Sequence, residues 1–140
     1  NLFNVRIKSC KVTPEKRISI DVIQKIIKPL SSDKIVLASG SIIPLIVSPS
    51  NTVLQIENFT LPRDNYDYLV LEKNGSGNTS PVFPHVIDGI VKRCRPYMSK
   101  NLFEDDYFVV MKGPIPQKCV ALETFLNLKG SFRSNLDKSN

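Results

Sequence analysis

The pattern of apolar and polar residues at the start of the chain predicts a strand. Phe3, Val5 and Ile7 alternate with polar residues, which is the period of a strand with one buried face. The next apolar segment, 18–30, begins with the same alternation but continues with a spacing that also suits one or two helical turns before Pro29. Both interpretations stay open for that segment.

Short apolar runs then follow one another closely, separated by turn formers such as Ser39-Gly40 and Asp88-Gly89. Many short strands interrupted by Gly and Pro are typical of a sandwich or barrel. No heptad, internal repeat or alternation of strands with helices competes with this interpretation. We therefore predict an all-β fold with at most one short helix. The remaining candidate strands are 35–37, 42–47, 52–56, 66–71, 103–111 and 119–125.

The size and composition are those of one globular domain. The chain has 140 residues, of which 41% are hydrophobic and 23% are charged. We predict a β domain over 1–126 and a polar, flexible tail over 127–140, where Phe132 is the only aromatic residue. No run approaches the ~18 apolar residues of a membrane helix, so no membrane association is expected. Since the chain begins with Asn1, we expect a fragment or a processed product.

The cysteines indicate a reducing compartment. Cys10, Cys94 and Cys119 are odd in number and form no C-x-x-C pair, which argues against both a disulfide framework and a zinc site. We therefore expect an intracellular protein. The N-x-S/T sequons would be glycosylation acceptors in a secreted protein, but in a chain rich in Asn and Ser we interpret them as chance. They begin at residues 58, 74 and 78.

The excess of basic residues suggests a mild attraction to phosphates or acidic partners. The net charge is +6 and the pI is 9.3. In an extended strand, Arg93, Arg95 and Tyr97 would share one face. Such a face could contact a phosphate or a partner, or it could be a solvated strand face with salt bridges between subunits. The predicted basic patch consists of Lys92, Arg93, Arg95 and Lys100.

Most catalytic and metal-binding motifs are missing. The single histidine, His85, cannot build a multi-histidine metal site. G-x-S-x-G, G-x-x-x-x-G-K-S/T and H-E-x-x-H are absent from the sequence. The cluster Glu104-Asp105-Asp106 could offer oxygen ligands to a divalent ion, but neighbouring carboxylates at a strand edge are usually solvated. We predict no metal site.

One segment resembles trimeric dUTPases. The residues 61–75, LPRDNYDYLVLEKNG, are similar to the family pattern I/L-P-x-G-Y-x-G-x-I/V-x-P-R-S-G. Val86-Ile87-Asp88 is similar to the V-I-D of the family's hairpin, and 108–113 with Gln117 is similar to F-x-V-x-K-G-D-R-I-A-Q. The resemblance implies a dUTPase-like jelly roll, a β-sandwich barrel. It also implies remnants of a nucleotide site, namely Asp21, Lys73, Asn74, Gly75, Gln117 and Phe132.

The departures from the family pattern concern the residues that carry its chemistry. Lys73-Asn74 stands where the family has Arg-Ser, so the bidentate guanidinium fork and the hydroxyl are missing. Val91 stands where the family has the tyrosine that packs under the deoxyribose, and Ile115 stands where it has an arginine. Asp88 matches the water-activating aspartate, but Asp88-Gly89 is also common two-residue hairpin chemistry. Asp88 is therefore a vestigial catalytic candidate with a competing interpretation as a turn.

These departures favour a binding function over catalysis. Phosphoryl chemistry needs several positioned charges acting together, and most of them are missing. We expect a non-enzymatic interaction or regulatory protein without cofactors, similar to decayed dUTPases of large DNA viruses such as herpesviruses and adenoviruses, acting in the nucleus or cytoplasm of a host cell. Its expected partner is a protein, and a free subunit is expected to form a homotrimer. The alternatives are a magnesium-dependent dUTP pyrophosphatase and a basic β domain that binds nucleic acid.

Overall fold

The protein is described here by a computed structural model that covers residues 12–56, 61–73 and 84–120. Its helices are α1 (Pro14–Ile27), α2 (Ile43–Ile46) and α3 (Pro84–Cys94). Its strands are β1 (Ile35–Ala38), β2 (Thr52–Gln55), β3 (Asn65–Glu72), β4 (Lys100–Glu104) and β5 (Phe108–Pro116). Turns of 3₁₀ helix lie at Arg95–Tyr97 and Gln117–Cys119.

The strands form one mixed, five-stranded sheet in the order β2-β1-β3-β5-β4. Strand β1 pairs in parallel with β2 on one side and with β3 on the other. Strand β5 is antiparallel to both β3 and β4. All four residues of β1 are buried, as expected for a parallel strand that is covered on both faces.

Helix α1 covers one face of the sheet. Thr13 caps it, because the Thr13 hydroxyl accepts the N–H of Lys16 at 3.3 Å and Pro14 fits the first turn, where no N–H is needed. The apolar residues of α1 recur at helical spacing, so they form one stripe against the sheet. The stripe consists of Ile20, Ile23 and Ile27, and it belongs to one core cluster with Val36, Val70, Phe108 and Val110.

Helix α3 covers the opposite face. Its buried residues Val86, Ile87, Ile90, Val91 and Cys94 belong to a second core cluster with the sheet residues Leu37, Leu69, Leu71, Val109 and Met111. The described part of the chain therefore has three layers, a helix on each side of a sheet. None of its helices is both long enough and apolar enough to cross a membrane.

The prediction of a fold based on a sheet is confirmed, but the prediction of at most one short helix is wrong. Segment 18–30 is mainly helical, because its buried residues Ile20, Ile23 and Ile27 have helical spacing whereas Ile18 is 73% exposed. Asp88-Gly89 lies inside α3 and is not a hairpin turn. A local Asp-Gly turn signal was outweighed by the helical spacing of the residues that α3 buries on the sheet.

The individual strand predictions have mixed outcomes. The candidates 35–37, 52–56 and 66–71 correspond to β1, β2 and β3, while 103–111 is divided between β4 and β5. The candidate 42–47 is wrong, because it contains α2, which begins beside Pro44. Of 119–125, the start belongs to a 3₁₀ turn and the rest lies outside the described residues. The strand predicted around Val5 and the tail 127–140 also lie outside them.

The described strands do not confirm the jelly roll. A jelly roll consists of two antiparallel sheets, whereas β2, β1 and β3 are parallel neighbours in a single sheet. Parallel neighbours need a crossover connection, and the one from β1 to β2 contains only the four-residue α2. So short a helix leaves no visible period in the sequence, which explains why the alternation of strands and helices was missed.

The cysteine prediction is wrong for one pair. Cys94 and Cys119 form a disulfide with a Cα–Cα distance of 5.1 Å and a sequence separation of 25. It joins the last residue of α3 to the 3₁₀ turn that follows β5. The spacing of the two residues did not predict this pairing, because only the tertiary structure brings them together.

Candidate functional site

The carboxyl ends of the parallel strands form the edge of the sheet at which a ligand site is expected. In open α/β sheets, ligands bind beside these ends at the point where the strand order reverses. The chain runs from β1 to β2 on one side and then to β3 on the other, so the order reverses beside β1. The polar residues at this edge of the sheet include Ser39 and Ser41 after β1, Gln55 at the end of β2 and Glu72 at the end of β3.

A buried ion pair lies at this edge. The Lys16 Nζ is 3.7 Å from the Glu72 Oε1, and the two side chains are 3% and 0% exposed. The Ser41 hydroxyl donates to Glu72 Oε2. The Ser39 hydroxyl oxygen accepts the backbone N–H of Glu72 at 3.1 Å. We call Lys16, Ser39, Ser41 and Glu72 the carboxyl-edge cluster.

The first turn of helix α1 positions Lys16 in this cluster. Helix α1 precedes β1, and its first turn lies at the carboxyl edge of β1. Lys16 shares the inward stripe of α1 with Ile20, so its side chain points to the sheet. Its ammonium group also lies 5.9 Å from the centroid of the Tyr107 ring, within the range of a cation–π contact.

Gln55 fills the space beside the loop that follows β1. A Cβ atom added to Gly40 would lie 2.6 Å from the Gln55 Nε2 and 3.1 Å from its Cδ. Glycine therefore allows the side chain at the end of β2 to lie against this loop. The half-buried Gln55 side chain therefore lies against this loop, next to the carboxyl-edge cluster.

A second, more exposed network surrounds Glu104. Arg95 donates to both carboxylate oxygens, at 2.9 and 3.0 Å, and the Lys73 Nζ donates to one of them at 3.1 Å. The hydrogen bond from Arg95 is the main reason why the pKa of Glu104 falls to about 2; burial opposes this shift, and hydrogen bonds from Asn101 and Lys73 support it. The same contact raises the pKa of Arg95. This network ties the segment after α3 to β4 and to the end of β3.

The predicted basic patch is not a strand face. Lys92 and Arg93 lie in the last turn of α3, Arg95 lies in the 3₁₀ turn and Lys100 begins β4. The prediction that Arg93, Arg95 and Tyr97 share one face of a strand is therefore wrong. Arg95 forms a salt bridge with Glu104 of the same chain. The salt bridge suggested for this patch is thus within one subunit for Arg95, and not between subunits.

The predicted nucleotide-site residues are spread over the molecule. Asp21 is exposed on α1, and Asp88 is exposed on α3, which covers the opposite face of the sheet. Lys73 follows the end of β3, whereas Gln117 lies beside its start, where its backbone N–H donates to the Asp64 carbonyl at 2.8 Å. At ~3.3 Å per residue, the length of β3 separates these two by roughly 25 Å. Asn74, Gly75 and Phe132 lie outside the described residues.

The acidic cluster has structural partners. Asp105 Oδ1 accepts the backbone N–H groups of Tyr107 and Phe108, both at 2.8 Å, and Ser19 donates to the other oxygen. Asp105 therefore closes the turn between β4 and β5. Across residues 12–56, 61–73 and 84–120, no group of three or more His, Cys, Asp or Glu residues could hold a metal ion.

Sequence reasoning missed the carboxyl-edge cluster completely. Two signals pointed to it. Ser39 and Ser41 follow a buried run, and Glu72 ends another one, which is an unusual position for a carboxylate without a partner. Its partner, Lys16, stands 56 positions earlier in the chain, and only the tertiary structure identifies it.

Comparisons with protein-family models, with curated proteins and with solved structures find no match to this chain. A function can therefore be inferred only from the chain's own residues.

Proposed function

We propose that this chain is a non-enzymatic binding module, an interaction or regulatory protein built on a mixed sheet. The observation that supports this proposal is the carboxyl-edge cluster. A catalytic site needs charged groups aimed at the place where charge develops on the substrate. Here Lys16 and Glu72, at 2% and 0% exposure, are aimed at each other.

The burial of Ser41, one of the two serines of the cluster, supports the same proposal. Ser41 donates its hydroxyl proton to Glu72, a contact that could activate a nucleophile in an open site. Both residues are 0% exposed, so a substrate would have to displace part of the core to reach the hydroxyl. The contact therefore serves to satisfy a buried carboxylate.

Opening the cluster for a ligand would be costly. Separating a buried ion pair leaves an uncompensated charge, which costs about 3–5 kcal/mol. A ligand would lose that amount from its binding free energy, roughly 10²–10⁴-fold in affinity. The single mixed sheet, with its parallel pairs β2-β1 and β1-β3, also offers no support for a dUTPase-type site. We therefore treat the dUTP pyrophosphatase as the alternative that the experiment tests.

The test combines activity and binding. Purified chain is incubated with dUTP and Mg²⁺ while pyrophosphate release is measured, and its melting temperature is recorded with a panel of nucleoside triphosphates. A ligand at 100 times its Kd would stabilise the fold by about 2.7 kcal/mol, which corresponds to roughly 5–10 °C. We expect no release above a heat-denatured control and no such shift with any nucleotide.

The variants identify the source of any activity. Glu72→Gln alters the cluster, and Asp88→Asn alters the residue that matches the aspartate of dUTPases. Turnover that is lost in Glu72→Gln or in Asp88→Asn, while the melting temperature of that variant holds, would overturn the proposal.

A further inference from the structure

The opposite edge of the sheet contains an open cleft. It lies at the amino ends of β1 and β3 and has a volume of about 180 Å³. The residues that line it are Lys34, Asp67, Tyr68, Lys112, Gly113 and Pro114.

Strand pairing brings two lysines together beside this cleft. Tyr68 is the register partner of Val36 on β1 and of Lys112 on β5, and Lys112 is in turn the partner of Lys100 on β4. Directly opposite residues of an antiparallel pair point to the same face, with Cβ atoms about 5 Å apart. Lys100 and Lys112 therefore stand side by side on the sheet, next to the half-buried Tyr68.

This arrangement places the like charges of Lys100 and Lys112 side by side. Like charges directly opposite each other destabilise a sheet. Within the described residues, no carboxylate oxygen lies within 4.0 Å of the ammonium groups of Lys34, Lys100 or Lys112. Asp67 is the carboxylate of the lining, and one of its oxygens accepts the backbone N–H of Ile35 at 2.8 Å. The lining thus holds two ammonium groups and one carboxylate, and Lys100 beside Lys112 and Asp33 beside Lys34 add one charge of each sign, which leaves an excess of one positive charge.

The wall of the cleft is built from tightly fitted backbone. The register of β3 against β5 shifts between Tyr66 and Tyr68, where Gly113 and Pro114 of β5 face Asp67 of β3, so β5 carries one extra residue at this wall. A Cβ atom at Gly113 would lie 2.3 Å from the carbonyl oxygen of Tyr66 and 2.5 Å from the backbone nitrogen of Ile115. Glycine is therefore required at this wall, and the positions from which Tyr68 and Lys112 project are fixed by it.

We propose that this cleft binds one small oxyanion, a phosphate or the phosphate group of a monoester, between the ammonium groups of Lys34 and Lys112, with Lys100 adding charge beside them. Lysine binds phosphate as a point charge and needs no bidentate geometry. The volume is below the roughly 300–1,000 Å³ of pockets for drug-sized ligands, which favours a single anionic group over a whole nucleotide. The site is independent of the function proposed above, because it lies at the other end of the parallel strands.

The experiment is an NMR titration of the full chain at constant ionic strength. Sodium phosphate is exchanged for sodium chloride in one arm, and phenyl phosphate is exchanged for it in the other. We expect saturable shifts of the Tyr68, Lys112 and Gly113 amide signals in at least one arm. Tighter binding of phenyl phosphate would identify a phosphorylated ligand, and equal or weaker binding would identify free phosphate; either result supports the site.

Matched lysine variants decide between a site and a general attraction. Lys112→Gln and Lys34→Gln should each weaken binding at least 5-fold, whereas Lys25→Gln, an exposed lysine of α1, should change it less than 2-fold. Shifts that do not saturate in either arm would overturn the proposal. An equal loss of affinity in Lys25→Gln and Lys112→Gln would overturn it as well.

Discussion

The two edges of the parallel strands differ in whether their charged side chains are buried and paired. At the carboxyl edge, Lys16 and Glu72 are buried and paired with each other. At the amino edge, Lys100 and Lys112 are exposed, stand opposite each other and have no carboxylate within salt-bridge distance in the described part of the chain. A buried pair that satisfies itself supports the fold, whereas an open cluster of like charges is suited to an anion from outside. The edge at which open α/β sheets usually bind ligands is thus the closed one in this protein.

The largest predicted effect comes from breaking the closed edge. Lys16→Met removes the ammonium group that faces the buried Glu72 carboxylate and should lower the free energy of unfolding by about 3–5 kcal/mol. Urea denaturation measures this loss. The double variant Lys16→Met/Glu72→Leu should recover most of it, because both charges are gone, and the surface control Lys25→Met should stay within about 0.5 kcal/mol of the parent. A loss below about 1 kcal/mol in Lys16→Met would mean that Lys16 and Glu72 do not form a buried ion pair.

The next effect concerns the covalent link near the open edge. The Cys94–Cys119 disulfide closes a loop with a sequence separation of 25, and the chain-entropy relation gives about 3.5 kcal/mol for such a loop. Cys94→Ala/Cys119→Ala should lower the free energy of unfolding by about that amount. Urea denaturation of the double variant with and without reductant provides the measurement, since reductant should then have no further effect on this pair. Equal stability of the parent chain in oxidising and reducing buffer would show that the bond does not form.

Glycine substitutions compare the packing at the two edges. Gly113→Ala places a Cβ atom against backbone, 2.3 Å from the Tyr66 carbonyl oxygen, whereas Gly40→Ala meets the end of the flexible Gln55 side chain at 2.6 Å. We expect a loss of about 1–3 kcal/mol for Gly113→Ala and a smaller loss for Gly40→Ala. Thermal unfolding of the two variants side by side gives the order. The reverse order would place the tighter packing at the carboxyl edge.

The smallest effect is the pH dependence of the Glu104 network. The pKa of Glu104 is lowered to about 2 in the folded chain, so the folded state favours the charged form. The contribution is complete above the unfolded pKa near 4.3 and is lost as the pH falls toward 2. Because these side chains are 24–40% exposed, we expect at most about 1 kcal/mol. Glu104→Gln should flatten the pH profile of stability between pH 5 and 2, and an unchanged slope would contradict the assignment.

The sequence predicted the strands of the sheet better than their arrangement. The runs that became β1, β2 and β3 are short and apolar, and this local signal was sufficient to locate them. Parallel pairing was not predictable, because the four-residue α2 leaves no helical period. The turn chemistry of Asp88-Gly89 also competed with the helical spacing around it, and burial of Ile87 and Ile90 against the sheet decided the outcome.

The candidate sites were even less accessible from sequence, because both depend on contacts between distant residues. Lys16 and Glu72 have no motif that relates them, and the cleft at the amino edge depends on the register of Tyr68, Lys112 and Lys100 across three strands. The dUTPase-type pattern in contrast drew attention to Lys73 and Gln117, which the fold places at opposite ends of β3. A single sequence shows which residue types are present but not which edge of a sheet they reach.

One titration tests the difference between the two edges most directly. Amide signals of the ¹⁵N-labelled chain are followed while dUTP is added with Mg²⁺ at constant ionic strength, because this ligand offers both a nucleoside and phosphate groups. We predict no saturable shifts at Ser39, Ser41 and Glu72 on the carboxyl edge, whereas phenyl phosphate in a parallel titration should shift Tyr68, Lys112 and Gly113 on the amino edge. Saturable shifts of Ser39, Ser41 and Glu72 would show that the carboxyl edge opens to a nucleotide, and would contradict the account of a closed, non-enzymatic sheet.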